Sequence, residues 1–227
     1  NRYPNVRILT WKKEFNYSAI NNFAVREARG EYLLFLNNDV EIITESWLEE
    51  MLQLCQQKDV GMAGAKLYYP DDTIQHAGVV VGLGGVAAHV LCKLPRDAEG
   101  YMGRLRCVQE ISAVTAACMM VKTSVFKAVG GFDEELKVAF NDIDLCMKVR
   151  KYGVKIVFTP YAELYHYESK SRGMEDTPEK QLRFSREVNC FRRKWERELL
   201  KGDPYYNPNL TLNNTDCSLR KQEKNGD

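Results

Sequence analysis

The sequence predicts an α/β fold, a mixed and mostly parallel sheet flanked by helices. Three observations predict it. Tyr32 to Leu36 is an unbroken apolar run, which suits a strand buried on both faces. A helix-like stretch, residues 16–29, precedes the run and is joined to it by Gly30. The run ends in Asn37-Asn38-Asp39, an acidic turn just past a strand's carboxyl end, where open α/β sheets place their ligands. The plain alternative for this turn is a surface bend, since Asn and Asp are common turn formers.

The remaining elements follow in order. Residues 6–10 read as a short strand. In the first helix Ala19, Asn22, Phe23, Arg26 and Glu27 recur at helical spacing. Thr44 or Ser46 can cap a second helix, whose apolar stripe is Trp47, Leu48, Met51, Leu52 and Cys55. Residues 60–67 form a strand, Tyr69-Pro-Asp-Asp72 a turn, and residues 74–81 a further strand. Gly82-Leu-Gly-Gly85 lacks the strand-then-helix setting of a dinucleotide fingerprint and reads as a loop. Residues 93–106 are polar and predict an exposed, mobile loop. Residues 113–121 are a strand and 124–128 a short helix. Asn141 is expected to cap a helix over 142–152, closed by Gly153. Residues 154–158 form a strand ending at Pro160. Pro178 introduces the longest helix, 179–200, with Phe184, Val188, Phe191, Trp195 and Leu199 on one face. The opposite face carries Arg183, Arg186, Arg192, Arg193, Lys194 and Arg197. Solvation explains such a face best, and peripheral contact with anionic lipid at a membrane is the lesser reading. The chain divides into a domain over 1–201 and a polar, Pro/Asn-rich tail over 202–227, expected to be loosely held.

Composition narrows the function classes. A formal charge of +1 gives no argument for a nucleic-acid partner. The 44% hydrophobic content suits a globular core. Seven scattered cysteines, with no Cys-x-x-Cys, suggest buried reduced thiols and a cytoplasmic setting. No apolar run reaches the ~20 residues that a membrane helix needs. The chain starts Asn-Arg-Tyr-Pro, without Met, as a piece cut from a longer protein would.

Three places carry candidate chemistry. Asp39 could bind Mg²⁺ or Mn²⁺ through one carboxylate, with substrate phosphates completing the shell. Asn141-Asp142-Ile143-Asp144 puts carboxylates in a helix's first turn, which the helix dipole and free N–H groups explain without chemistry. The functional reading is that Asp142 faces a cleft as a general base. Before it, Gly130, Gly131 and Phe132 could let a sugar approach the backbone. The third place is His166, between Tyr165 and Tyr167. Lone histidines are more often structural, and His76 and His89 show no ligand spacing to each other.

Taken in order, these features resemble a family 2 glycosyltransferase with the GT-A fold, of the bacterial rhamnosyltransferase-like kind. The resemblance rests on Asn22, Glu27 to Leu36, the turn 37–39, Gly64-Ala-Lys66, Ala116 to Val121, Gly130-Gly-Phe-Asp-Glu134, Asn141-Asp142-Ile-Asp144 and Tyr165-His166. Thr73-Ile-Gln-His-Ala-Gly78 and Tyr205-Tyr-Asn-Pro-Asn209 carry the narrower likeness. It implies that Asp39 and His166 hold a metal, Mn²⁺ or Mg²⁺, against the diphosphate of a nucleotide sugar. It implies donor contacts from Asn22, Asn37 and Asp39, and acceptor contacts from Gly131, Phe132 and Asp133. The base falls on Asp142. Asn37 stands where the family's Asp-x-Asp has its first aspartate, and Asn141 where a glutamate precedes the base. Asn21 replaces an arginine. The family's opening nucleobase-binding segment is not matched, so the fold is expected to be N-terminally truncated, with an open sheet edge that invites a second copy.

The implied reaction is a single displacement with inversion at the anomeric carbon. The partners are a nucleotide-diphosphate sugar donor and a saccharide or lipid-linked saccharide acceptor, in bacterial surface polysaccharide synthesis, at the inner face of the plasma membrane. The 93–106 loop could close over the site and exclude water. Two rivals remain at this point: a non-catalytic glycan-binding or scaffolding module derived from such an enzyme, and a nucleotidyltransferase on a related sheet.

Overall fold

The computed structural model describes residue 3, residues 5–168 and residues 177–221. Its centre is a seven-stranded mixed sheet built on β1 (Tyr32–Leu36), β2 (Val40–Ile42), β3 (Val60–Tyr68), β8 (Cys118–Lys122) and β9 (Lys155–His166). Their order across the sheet is β1-β8-β3-β9-β2. Two short strands, β4 (Ile74–His76) and β7 (Gln109–Glu110), pair with β3 and β9. Beside the sheet lies a hairpin of β5 (Val79–Val81) and β6 (Ala87–His89).

The expected mixed sheet with flanking helices is present. The expectation of mostly parallel pairing is corrected, because β3 and β9 make the only parallel pair in the sheet among the described residues. The doubly buried strand is β3, not Tyr32–Leu36. All nine residues of β3 are buried. β1 pairs with β8 alone and leaves Leu36 exposed. Residues 6–10 form no strand, and Val6 and Ile8 are exposed.

Consecutive strand residues sort to opposite faces, as a pleated backbone requires. Met62, Met119, Val121 and Phe158 join one core, while Ala63, Cys118, Met120 and Val157 join the other. The second core is covered by α2 (Trp47–Cys55), through Met51, Leu54 and Cys55. The first is covered by α1 (Tyr17–Val25), α3 (Thr123–Ala128), α4 (Asn141–Lys151), α5 (Pro178–Lys194) and the β5–β6 hairpin. All seven cysteines are free, and Cys55, Cys118, Cys146 and Cys217 are buried.

Other expectations shift at points with a visible cause. The 74–81 strand breaks between β4 and β5 at Ala77-Gly78, where Gly78 takes φ +101°. The 154–158 strand runs on through Pro160 to His166. Phe158 faces Gly64 and Glu163 faces Lys66, so Thr159 to Ala162 bulge against Ala65 alone. A bulge spares Pro160 the ladder hydrogen bond that it cannot donate. Asn141 is the first residue of α4, not its cap, and Phe140 caps from the left-handed region at φ +61°. Gly153 ends α4 at φ +97°, as expected. The 179–200 helix divides at Trp195 into α5 and α6 (Glu196–Lys201).

The 93–106 loop is exposed at Lys93, Asp97, Met102 and Arg106, as expected, but is anchored to the body at its two ends. Lys93 N–H donates to Ile74 C=O at 2.7 Å, Ile74 N–H to Leu94 C=O at 2.8 Å, and Leu105 is buried. The described part of the tail, 202–221, is also held: Tyr206, Leu210 and Cys217 are buried. Among the described residues no helix is long and apolar enough to cross a membrane.

Candidate active site

The backbone brings the acidic turn and the β9 histidine together. β2 pairs antiparallel with β9 so that Val40 faces His166, and Tyr167 N–H donates to Asp39 C=O at 2.8 Å. This register sets Asp39 Oδ1 3.3 Å from His166 Nε2. Asn37 Nδ2 lies 3.2 Å from the same nitrogen. On the other side of the ring, His166 Nδ1 meets Gln75 Oε1 at 2.7 Å. The Gln75 amide nitrogen faces two acceptors, His166 C=O at 3.3 Å and Glu168 Oε2 at 3.4 Å, so its oxygen must face the ring. His166 therefore carries its proton on Nδ1. Burial pushes the His166 pKa below its ordinary value, against the opposing charges of Asp39 and Glu168.

A neutral His166 turns the Nε2 lone pair toward the Asp39 carboxylate. The Asn37 Nδ2–H, 3.2 Å away, donates to that lone pair, so an ion seated between Asp39 Oδ1 and His166 Nε2, 3.3 Å apart, would take the place of the amide hydrogen. The pair thus fits a divalent ion, with His166 oriented by Gln75 in the manner of a metal-ligating histidine. Among the described residues no group of three or more His, Cys, Asp or Glu could hold a metal, so other ligands would come from a substrate.

Asp142 reaches the same rim through the segment that leads into β8. Its Oδ1 accepts from Ile143 N–H at 2.8 Å and its Oδ2 from Ala116 N–H at 3.2 Å. One residue on, Ala117 C=O accepts from Asn37 N–H at 3.0 Å. The two-residue segment Ala116-Ala117 therefore links the Asp142 carboxylate to the acidic turn at Asn37. Tyr17 OH donates to Ala116 C=O at 3.2 Å, and Thr115 N–H donates to His76 Nε2 at 3.4 Å. With His76 Nε2 accepting, its Nδ1–H donates to His89 Nδ1 at 2.9 Å. Burial pushes both pKa values down, and both rings are neutral. These two histidines, isolated in the sequence, form a contiguous support beside Asp142.

The other expected contacts have different occupations. The Asn22 amide clamps the glycine turn: Nδ2 donates to Phe132 C=O at 2.9 Å, and Oδ1 accepts from Phe132 N–H at 3.0 Å. Gly131, at φ +68°, lies so close that an added Cβ would stand 2.7 Å from Asn22 Oδ1. The Phe132 side chain is in the core against Phe35 and Tyr17, which corrects its expected sugar-facing role. Gly131 C=O accepts from Lys148 Nζ. Asp133 pairs with Lys194 at 2.5 Å; burial raises its pKa, but the ammonium and a backbone N–H outweigh this and hold it low. Asp144 is fully buried with Lys194 at 2.7 Å, Lys148 at 3.2 Å and Trp195 Nε1 at 2.8 Å, the structural role its helix position suggests. Arg192, Arg193 and Lys194 stay on the exposed face expected of them, while Arg192 also donates to Gly85 C=O and Lys194 reaches Asp133 and Asp144.

On the opposite face, Asp72, Arg96 and Glu163 line an open groove of about 550 Å³. Its charges satisfy one another, Arg96 pairing with Glu163 at 3.1 Å and with Asp72 at 3.5 Å.

The family assignment follows from comparison. A family model described as a glycosyltransferase-like family matches residues 5–187. The chain belongs to this glycosyltransferase-like family. The protein y4gI of Sinorhizobium fredii is 56% identical over 215 residues, which cover 94% of this chain and 24% of that protein. The O-antigen biosynthesis protein RfbC of Myxococcus xanthus is 42% identical over 225 residues, 99% of this chain and 17% of that protein. This glycosyltransferase-family chain thus spans less than a quarter of either relative. The N-acetylglucosaminyl-diphospho-decaprenol L-rhamnosyltransferase of Mycobacterium tuberculosis is 24% identical over 193 residues, 77% of this chain and 62% of that protein.

Two solved structures share the fold. The mannosyltransferase PcManGT from Pyrobaculum calidifontis, in complex with GDP-Man and Mn²⁺, aligns with a TM-score of 0.54 at 15% identity, covering 82% of this chain and 45% of that one. GalNAc-T7 with UDP, GalNAc and Mn²⁺ aligns at 0.58 and 12%, covering 83% and 36%. The fold of this chain is GT-A.

Proposed function

We propose that the chain carries the metal-binding and acceptor-activating part of an inverting glycosyltransferase, which moves a sugar from a nucleoside-diphosphate donor to a saccharide or lipid-linked saccharide acceptor in bacterial surface polysaccharide synthesis. One observation carries the reading: the segment Ala116-Ala117 binds the Asp142 carboxylate through Ala116 N–H and the acidic turn through Ala117 C=O, which accepts from Asn37 N–H, and that turn sets Asp39 against His166. The named activities of RfbC and the mycobacterial rhamnosyltransferase support the polysaccharide setting. The Mn²⁺ in both structural neighbours supports a divalent ion, with Mg²⁺ the other candidate. The free cysteines support a reducing, cytoplasmic setting at the inner face of the plasma membrane.

Asp39 Oδ1 and His166 Nε2 would hold the ion. When bound, it supplies positive charge that stabilises the departing diphosphate. Asp142 takes the proton of the acceptor hydroxyl as that oxygen attacks the anomeric carbon. Its two backbone bonds fix the carboxylate, so that the attack needs no reorganisation at this side. Asn37 adds no charge but has an amide at the same rim for a phosphate or ribose oxygen.

Calorimetry of Mn²⁺ with nucleotide sugars tests the reading. Heat of sugar-nucleotide binding that requires Mn²⁺, and an affinity at least tenfold weaker in Asp39→Ala, are expected. Equal metal-dependent affinity in Asp39→Ala removes the assigned ligand. A derived module that binds glycan without metal would bind oligosaccharide and ignore Mn²⁺.

A further inference from the structure

Gln75 lies on β4 with 5% of its surface exposed, between two residues of opposite outlook. Ile74 packs into the main core and His76 meets His89, while Gln75 points across to β9. Every polar atom of its amide is used. Oε1 accepts from His166 Nδ1 at 2.7 Å, and Nε2 faces His166 C=O and Glu168 Oε2. A short strand on the rim rarely spends a buried amide on a single partner residue and its neighbour.

We propose that Gln75 is a positioning residue: it locks His166 in the Nδ1–H tautomer and thereby aims the Nε2 lone pair at the space beside Asp39. The inference rests on the metal reading above but adds a residue to it and can fail separately. Without the Gln75 acceptor, the stronger remaining attraction for the ring proton is the Asp39 carboxylate, 3.3 Å from Nε2. The proton would then move to Nε2, where it blocks the lone pair that a cation needs. The orientation of Gln75 is imposed by two acceptors of unlike origin, one backbone and one carboxylate, so neither alone can reverse it.

The test uses the protein labelled with ¹⁵N-histidine, whose three histidines give a simple spectrum. Long-range ¹H–¹⁵N correlation at pH 7.5 reads which ring nitrogen is protonated, and Mn²⁺ titration followed by electron paramagnetic resonance, with and without UDP, reads the affinity. Wild type is expected to show His166 protonated at Nδ1. Gln75→Leu should move the proton to Nε2 and weaken Mn²⁺ about 10–100-fold, the usual effect of losing a partner that orients a ligand. Gln75→Glu keeps an acceptor for Nδ1–H, so that nitrogen should stay protonated, while its second oxygen meets Glu168 and His166 C=O and lowers the melting temperature; a kept Nδ1 proton in a less stable fold is a result that a purely structural role would not give. Melting temperatures separate misfolding from repositioning. A Leu variant that keeps the wild-type tautomer and affinity overturns the proposal, as does a folded Glu variant whose His166 has lost the Nδ1 proton. If wild type takes up no Mn²⁺ while the Leu variant still switches tautomer, the metal reading fails and the role of Gln75 stands.

Discussion

Asp142 is held by Ile143 N–H and Ala116 N–H, one from its own helix and one from the strand lead-in. That arrangement makes Asp142→Asn an informative change, because the side chain keeps its shape and loses its basicity. Transfer is expected to fall about 10²–10⁴-fold, the usual contribution of a positioned base. Donor and Mn²⁺ affinity should stay within a few fold, since Asp39 and His166 are untouched. Product formation and calorimetry on the same preparation check both; wild-type turnover would remove Asp142 from the mechanism. Asp39, Asp142 and His166 were legible in the sequence as candidates, each at a strand or helix end, with their proposed roles coming from the family resemblance. Gln75 and His76 were not. They lie in a three-residue strand whose alternation shows that they face opposite ways, but nothing local says what each face meets. The histidine partners are 13 residues apart, and the Gln75 partner 91.

At the scale of elements, α5 is what seats α4. Glu187, buried in α5, accepts from Val138 N–H and Ala139 N–H with its two oxygens, both at 3.0 Å. Those residues lead through left-handed Phe140 into the turn that carries Asp142. A basic, amphipathic helix reads in sequence as a cover for the core, and Phe191 and Trp195 bear that out. Glu187 sits beside the apolar stripe, three residues after Phe184 and four before Phe191, but the backbone donors that it meets lie 48 and 49 residues earlier and leave no local sign. Glu187→Ala leaves two part-buried backbone donors without their carboxylate, at a cost of about 1–3 kcal/mol. The expected outcome is an unfolding free energy from chemical denaturation lowered by that amount, with kcat reduced and donor KM nearly unchanged, because Asp142 moves and the metal pair does not. A fall in donor affinity equal to the fall in kcat would show that α5 supports the whole rim and not the base alone. The strand elements show the same limit from another side. Five apolar residues in Tyr32–Leu36 announce a strand, but its place at the sheet edge depends on β8, more than eighty residues later.

For the whole molecule, the tail decides whether the site is built on a closed body. Composition made residues 202–221 look loose, since isolated apolar residues among Asn, Pro and Thr show no period to read. In the structure they strap the β5–β6 hairpin. Asp203 Oδ2 accepts from Val81 N–H at 2.8 Å, Leu212 C=O from Gly84 N–H at 2.8 Å, and Thr215 C=O from Leu91 N–H at 2.6 Å. Tyr206, Leu210 and Cys217 complete the core beneath. The hairpin carries His89, the partner of His76, so the strap reaches the rim of the site by two contacts. Truncation after Lys201 would remove three buried side chains and uncover the core beneath them, and the lost burial of Tyr206 and Leu210 alone accounts for roughly 1.5–3 kcal/mol each. Against a total stability of about 5–15 kcal/mol this is a large fraction. The truncated chain is expected to melt roughly 10–20 °C lower, at about 2–4 °C per kcal/mol for a chain of this size. Hydrogen exchange should locate the loss, with the amides of Val81, Gly84 and Leu91 losing protection while those of β3 keep theirs relative to the new global stability. A truncated chain that melts within about 2 °C of the intact one, with those three amides still protected, would mean that the hairpin stands without its strap and that His89 is held from the sheet side alone.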